Sequence, residues 1–169
     1  MKTDANGMIA TRDPDFFLRF ATTEDTPIVR EYARRLAEFE DMPLLATEDD
    51  VRTLLEKKQG EALIGYYKGE VVSFLYFTEK SSIMQGKNGM FVDMLYIDDT
   101  MRGKGLGQIY LAFISLIAKE RGYSRIEWHC LKDNYPAINL YHKLNATQIE
   151  NVHIFRFNKD TIAEMAEKF

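Results

Sequence analysis

Cysteine is nearly absent from the 169-residue chain: Cys130 stands alone, so neither an intramolecular disulfide nor a multi-cysteine zinc site can form. A reducing cytoplasm is the expected compartment. Long apolar runs are missing too, since none approaches the ~18–20 residues of a membrane helix, and the opening MKTDANGMIATRDPDF lacks the apolar stretch of a signal peptide. Positive charge is in deficit: 22 Lys and Arg stand against 26 Asp and Glu, a net charge of −4. No global field therefore favours nucleic acid or an anionic membrane, and a polyanionic ligand needs a local cluster. Internal repeats and low-complexity tracts are also lacking. With 46% hydrophobic and 28% charged residues, the chain has ordinary globular composition, which excludes disorder and collagen-like structure.

At this length one domain is expected, preceded by an extension over residues 1–16 that carries Gly7 and Pro14 without periodicity and reads as a frayed end. The domain proper then runs over 17–169. FLRFA predicts a short strand, and Thr23, Glu24 and Asp25 start an amphipathic helix in which Ile28, Tyr32, Leu36 and Phe39 recur at helical spacing. Thr47 and Asp50 form a capping-box pattern for a second helix. EALIGYYKGEVVSFLYFTE predicts a hairpin turning at Lys68-Gly69. The nearly all-apolar run over 90–99 predicts a central strand; QIYLAFISLIAKERG predicts a helix stopped by Gly122, and YSRIEWHCL a parallel strand. Asn134 and Pro136 open a further helix, TQIE and VHIFRFN predict a closing pair of strands, and DTIAEMAEKF a last helix. The pattern is a mixed α/β domain on a strongly twisted sheet.

The most informative stretch lies between the apolar strand and the apolar helix: Arg102-Gly103-Lys104-Gly105-Leu106-Gly107. Its glycines let the backbone turn sharply and let a ligand approach closely, and its amides, with the first N–H groups of the helix, suit a phosphate. Arg102 and Lys104 add local positive charge. Glycine-rich turns of this kind also occur for tight packing alone. A P-loop is excluded because Gln108 and Ile109 follow the last glycine; a dinucleotide fingerprint has Gln108 at its third glycine position and, although Glu127 lies about 20 residues on, the 62 residues after Gly107 are too few for the rest of a doubly wound sheet, so that reading ranks low.

Arg-x-x-Gly-x-Gly, followed about thirty residues later by N-x-P-A-I-x-L-Y-x-K-L at residues 134–144, resembles the GCN5-related N-acetyltransferases (GNAT), over about residues 17–158. LAEFEDMPLLATEDDV and DNYPAINLYHKLNATQIENVHIFRF look most like the diamine (spermidine/spermine) acetyltransferase branch. The resemblance implies a mostly antiparallel sheet with a central parallel pair splayed around acetyl-CoA. It implies that residues 102–107 bind the diphosphate, that Leu95, Tyr96 and Ile97 line the pantetheine, and that Asn134, Ala137 and Lys143 also touch the cofactor. Tyr141 falls at the position near the CoA sulfur, where a phenol of ordinary pKa near 10 is neutral at pH 7 and can protonate the leaving thiolate. Ala137, Ile138, Tyr141 and Leu144 also share helical spacing, so packing is the competing role.

An amine acceptor of pKa near 10.4 is mostly ammonium at pH 7, and freeing its lone pair costs roughly 4–5 kcal/mol. Asp93, a lone charge in an apolar run, is placed to attract that cation and take its proton, directly or through water. The resembling diamine enzymes carry Glu followed by an acid there; this chain has Val92-Asp93-Met94. Capping a bulge or pairing with an arginine is the alternative role of Asp93. Glu40 matches a substrate-contacting acid of the branch, and Glu127 alternates with His129 on the following strand, where either can order water. Asn145 replaces the usual Gly after Lys-Leu and tolerates the same left-handed conformation. Cys130 has no activating neighbour in sequence, so direct attack of the amine is expected over an acyl-cysteine route.

The expected function is acetyl transfer from acetyl-CoA, without a metal, to a primary amine of a small molecule, a polyamine or a lysine-like diamine. A protein or peptide acceptor and a non-catalytic CoA sensor are the alternatives. A homodimer follows from the branch resemblance, and neither nucleic acid nor membrane is an expected partner.

Overall fold

The computed structural model describes residues 3–169. In chain order the elements are β1 (Ile9–Ala10), β2 (Phe16–Phe20), α1 (Thr26–Phe39), α2 (Glu48–Glu56), β3 (Glu61–Tyr67), β4 (Glu70–Ser82), β5 (Lys87–Ile97), α3 (Leu106–Glu120), β6 (Ile126–Trp128), α4 (Tyr135–Lys143) and α5 (Lys159–Ala166). They divide into two units, one ending at Asp133 and the other comprising Asn134–Phe169.

In the first unit the six strands form one sheet in sequential order, antiparallel throughout except for the β5–β6 pair, which is parallel. This is the mixed, mostly antiparallel sheet expected from the resemblance. Its central strands are apolar on both faces because both are covered. On one face α3 buries Leu106, Ile109, Tyr110, Phe113, Ile114 and Ile117 against Phe16, Leu18, Leu63, Leu75, Phe77 and Met90. On the other, Val29 and Tyr32 of α1 and Val51 of α2 cover Ala62 and Phe74. The capping box of α2 is complete: the Asp50 amide donates to Thr47 Oγ1 at 3.2 Å and the Thr47 amide donates to Asp50 Oδ2 at 2.9 Å. Lys68 and Gly69 both take positive φ, 52° and 89°, and close the β3–β4 hairpin.

Gly65 is required by crowding rather than by its own dihedrals. The strand register shifts beside it, and a Cβ there would collide with the Ser73 and Tyr110 hydroxyls, which hydrogen-bond each other at 3.0 Å, and would lie 2.8 Å from Phe16 Cζ. All three neighbours are fully buried and have nowhere to move.

Several elements differ from the sequence reading. The stretch taken as a frayed end contributes β1, which pairs with β2 and buries Ile9. The buried face of α1 is Val29, Tyr32, Ala33, Leu36 and Ala37, while Phe39 is 47% exposed. Small Ala33 and Ala37, uninformative to hydropathy, allow the close approach that rotates the helix. The strand expected over 123–131 is reduced to β6. No strand forms at TQIE or VHIFRFN; residues 147–157 are without regular structure, and Ile149, Val152, Ile154, Phe155 and Phe157 are all at least 60% exposed. Alternating hydrophobicity marks which face a strand would bury; forming it also needs a neighbouring edge to take its amides and carbonyls.

Replacing Gly65 with Ala should destabilise the protein by about 1–3 kcal/mol, the usual range for overpacking a filled core. Urea unfolding reads this directly; an unchanged midpoint would show that the Ser73–Tyr110 pair yields without cost.

Candidate active site

β5 is the strand on which the site is assembled. Along its inner edge it pairs with β4 from Lys87 to Ile97, but along its outer edge β6 accompanies it only at Met90, Phe91 and Val92. Beyond Val92 the two parallel strands part. A register shift at Asp93 sets the remainder: Val92 opposes Phe77 and Met94 opposes Tyr76, so Asp93 is the extra residue of a β-bulge. The Asp98 amide then donates to the Val72 carbonyl at 3.0 Å, which by strand alternation turns the amides and carbonyls of Leu95 and Ile97 to the open side. Ile97 shows this orientation, since its carbonyl accepts from Arg102 Nε at 3.1 Å. Of the three residues expected along an extended ligand, Leu95 turns its main chain to the open side, Ile97 does so with its carbonyl already held by Arg102, and Tyr96 turns its main chain to β4.

The chain next makes a short 3-10 turn over Asp99–Met101 and enters the glycine segment. Gly103 and Gly105 have φ of 77° and 82°, which a side chain would strain, and a Cβ on Gly103 would meet nothing within 4 Å. Ahead of Gly103 is open space, while a Cβ on Gly105 would stand 3.9 Å from Arg12 Nη2. The first amide turned inward is that of Ile109, donating to the Gly105 carbonyl at 3.2 Å; the amides of residues 103–108 find no acceptor among the described residues. These are the unpaired donors of a helix start, and Leu106, fully buried, anchors the turn to the core. The turn therefore fits a diphosphate better than it fits a role in tight packing.

Its two cations are less free than the sequence suggests. Arg102 pairs with Asp99 at 2.8 Å and stacks on Phe39 and Tyr96, 4.6 and 5.4 Å from the ring centres. The exposure of Phe39 thus has a purpose, as a platform for that guanidinium. Lys104 Nζ lies 3.3 Å from Met101 Sδ and 5.4 Å from the Tyr67 ring centre.

On the open side of the bulge, acids converge. α1 is tied to the end of β5 by Arg35, which pairs with Asp98 at 2.8 Å, and by Tyr32, whose hydroxyl lies 3.2 Å from Asp98 Oδ2 and donates to the Val71 carbonyl of β4 at 2.8 Å. That tie delivers Glu40, the residue capping α1, to Asp93. Burial, and then the Asp93 charge, push the Glu40 carboxyl above its usual range; the same two causes raise the Tyr76 phenol. Cys130 joins the group, its thiol raised by burial and by Glu40 and Asp133. A thiol so disfavoured as thiolate is a poor nucleophile. Tyr76 and Cys130 were not recognised from sequence as neighbours of these acids; the bulge that aims Asp93 toward Tyr76 has no sequence signature here.

Glu127 faces different company. Burial disfavours its charge, but Arg125 Nε at 2.9 Å, close without hydrogen-bond alignment, and Lys80 Nζ at 3.4 Å outweigh it and hold the carboxyl below its usual range. Its charge is committed to two cations rather than open to a third. His129 packs edge-on against Phe91 at 4.9 Å between ring centres.

In the second unit, Asn134 caps α4, its Oδ1 accepting from the Ala137 amide at 3.3 Å, and Pro136 occupies the first turn. Tyr141 and Ala137 are half-buried and Lys143 is exposed. Asn145 takes φ 59°, the left-handed conformation expected of a glycine substitute. An open cavity of about 750 Å³ at the start of β3, lined by Phe20, Leu55, Lys58 and Arg121, shares none of the residues singled out above.

A family model described as acetyltransferase (GNAT) matches residues 22–146. The chain belongs to the GNAT family. The match takes in α1, the bulge of β5, the glycine turn and α4. Among curated GNAT-like relatives, a thialysine N-epsilon-acetyltransferase of Bos taurus is 29% identical over 113 residues, covering 65% of this chain and 61% of its own length. The chain thus matches about three fifths of that relative. A thialysine N-epsilon-acetyltransferase of Caenorhabditis elegans is 28% identical over 138 residues, with 79% and 86% covered. An integron cassette protein from V. cholerae shares the fold at TM-score 0.75 and 18% identity, covering 90% of this chain and 98% of its own.

Glu40→Gln should reveal the cost of crowding two acids. Because the folded-state pKa of Glu40 is raised, its ionisation opposes folding, and this penalty develops as pH rises through the ordinary glutamate range and persists above it. The stability advantage of the Gln variant should therefore grow between pH 4 and pH 7 in urea titrations; a pH-independent difference would contradict the crowding.

Proposed function

We propose that the protein is an N-acetyltransferase that moves an acetyl group from acetyl-CoA to the primary amine of a small diamine, lysine-like or polyamine, by direct attack. One observation carries this reading: a turn whose amides over 103–108 have no internal acceptor lies at the end of a strand with an unpaired edge. The turn suits a diphosphate and the edge of Leu95 and Ile97 suits an amide-bearing arm by strand addition. Acetyl-CoA, when bound, supplies the activated thioester. Asn134, Ala137 and Lys143 are assigned to the same cofactor from the motif at 134–144.

Asp93 and Glu40 do the work on the acceptor. Two carboxylates close enough for one to raise the other attract an ammonium, and such a pair is suited to accepting the amine's proton. Tyr141 is the proton donor to the departing thiolate. The raised Cys130 thiol supports direct transfer over a cysteine-bound acyl group. The names of the two thialysine acetyltransferases support an amino-acid-like diamine, in which one amine reacts while the other groups are held. Glu127 is assigned to the acceptor side from its place on β6, with its charge held by Arg125 and Lys80.

No helix among the described residues is long and apolar enough to cross a membrane. A cytoplasmic homodimer remains our reading, and the exposed apolar residues over 149–157 support a self-association surface.

Tyr141→Phe should lower kcat by about 10²–10⁴ while CoA still binds, as expected for loss of a general acid; unchanged turnover removes the phenol from the mechanism. Asp93→Asn should raise the KM for thialysine and spermidine about tenfold, the scale of one lost charge-assisted contact. Thiol release from acetyl-CoA with a panel of diamines, peptides and monoamines tests the acceptor, and equal rates with monoamines would overturn the diamine reading.

A further inference from the structure

Arg12 is brought to the glycine turn by the segment that in sequence looks like a loose end. Residues 11–16 form a turn fixed by its own hydrogen bonds. Thr11 Oγ1 donates to the Phe16 carbonyl at 2.8 Å, the Asp13 amide donates to Thr11 Oγ1 at 3.1 Å, and the Asp15 amide donates to Asp13 Oδ1 at 3.0 Å. β1 enters this turn and β2 leaves it, so the backbone of Arg12 is held from both sides.

From there the guanidinium spans 96 residues of sequence to donate, through Nη2, to Gln108 Oε1 at 2.9 Å. The same Nη2 lies 3.9 Å from where a Cβ on Gly105 would stand. Gln108 is the third residue of α3, so the charge sits beside the amides that lack acceptors. Its partner is a neutral amide, which among the described residues leaves the charge uncompensated and the rest of the guanidinium fork without an acceptor. The nearby acids are engaged elsewhere, Asp13 with the Asp15 amide and Asp15 with Lys68 at 3.6 Å. Arg102, by contrast, is paired with Asp99.

We infer that Arg12 is a ligand for the cofactor's diphosphate, adding a charge-assisted bond from the N-terminal segment to the main-chain donors of residues 103–108. The inference rests on the reading of that turn as the CoA site. A guanidinium presents paired donors to a phosphate, and its pre-positioning by Gln108 and by the 11–16 turn lowers the ordering cost of binding. The N-terminal segment is thereby part of the cofactor site.

The test is calorimetric binding of CoA, dephospho-CoA and pantetheine to the full chain and to its Arg12→Gln and Arg12→Lys variants. The Gln variant should bind CoA and dephospho-CoA about tenfold more weakly, with pantetheine unchanged, and the Lys variant should fall between, because it keeps the charge and loses the fork. Three outcomes overturn the inference: CoA bound by the Gln variant as tightly as by wild type; an equal loss for pantetheine, the mark of a general structural role; or a loss for CoA alone, which moves Arg12 to the ribose phosphate. Wild-type protein that binds no CoA would instead remove the underlying reading of the turn.

Discussion

A strand inside a sheet has main-chain donors and acceptors along two edges, and β6 pairs with only Met90, Phe91 and Val92 of the eleven residues of β5. Main-chain groups without partners are costly when removed from water, so a fold that keeps them open at its centre holds them for something that fits. The parting of β5 from β6 leaves Leu95 and the Ile97 amide on the open side, the Ile97 carbonyl being held by Arg102, and the glycine turn beyond leaves a second set of donors at the start of α3. The remaining architecture supports this opening. α3 fills one face of the sheet with Tyr110, Ile114 and Ile117, and α1 is bolted to the far end of β5 through Arg35 and Asp98.

That second attachment links the glycine turn to the two acids at the bulge. Because Tyr32 and Arg35 fix α1 against β5, the residue capping α1, Glu40, arrives at the bulge where Asp93 stands outside the regular pleat. The bulge turns an apolar strand into a carrier of one exposed acid without placing a charge in the core.

Much of this was legible in sequence. The Thr47–Asp50 box, the Lys68-Gly69 turn, the Asn134 cap and the glycine segment were readable because local dihedrals and local hydrogen bonds decide them. The resemblance assigns Glu40 and Asp93 to one acceptor, and in the structure the Asp93 charge reaches the Glu40 carboxyl, which supports that proposal. Less legible was whatever depended on a remote partner. Ile9 and Ala10 carry no periodicity, yet β2 offers them an edge; the alternating residues of VHIFRFN carry a strand pattern, yet remain unpaired. Ala33 and Ala37 steer α1 through close contact rather than hydropathy. The bulge that sets Asp93 beside Tyr76, and the reach of Arg12 to Gln108, are properties of tertiary register that no spacing in the chain announces.

The central claim is that the backbone over 103–108 is a phosphate cradle. A crystal structure of the protein soaked in CoA tests it most directly. The account predicts diphosphate oxygens within ~2.7–3.2 Å of those amide nitrogens, with the pantetheine arm running along Leu95 and Ile97. Density for the cofactor elsewhere, or a turn whose amides have rotated onto internal acceptors, would contradict it.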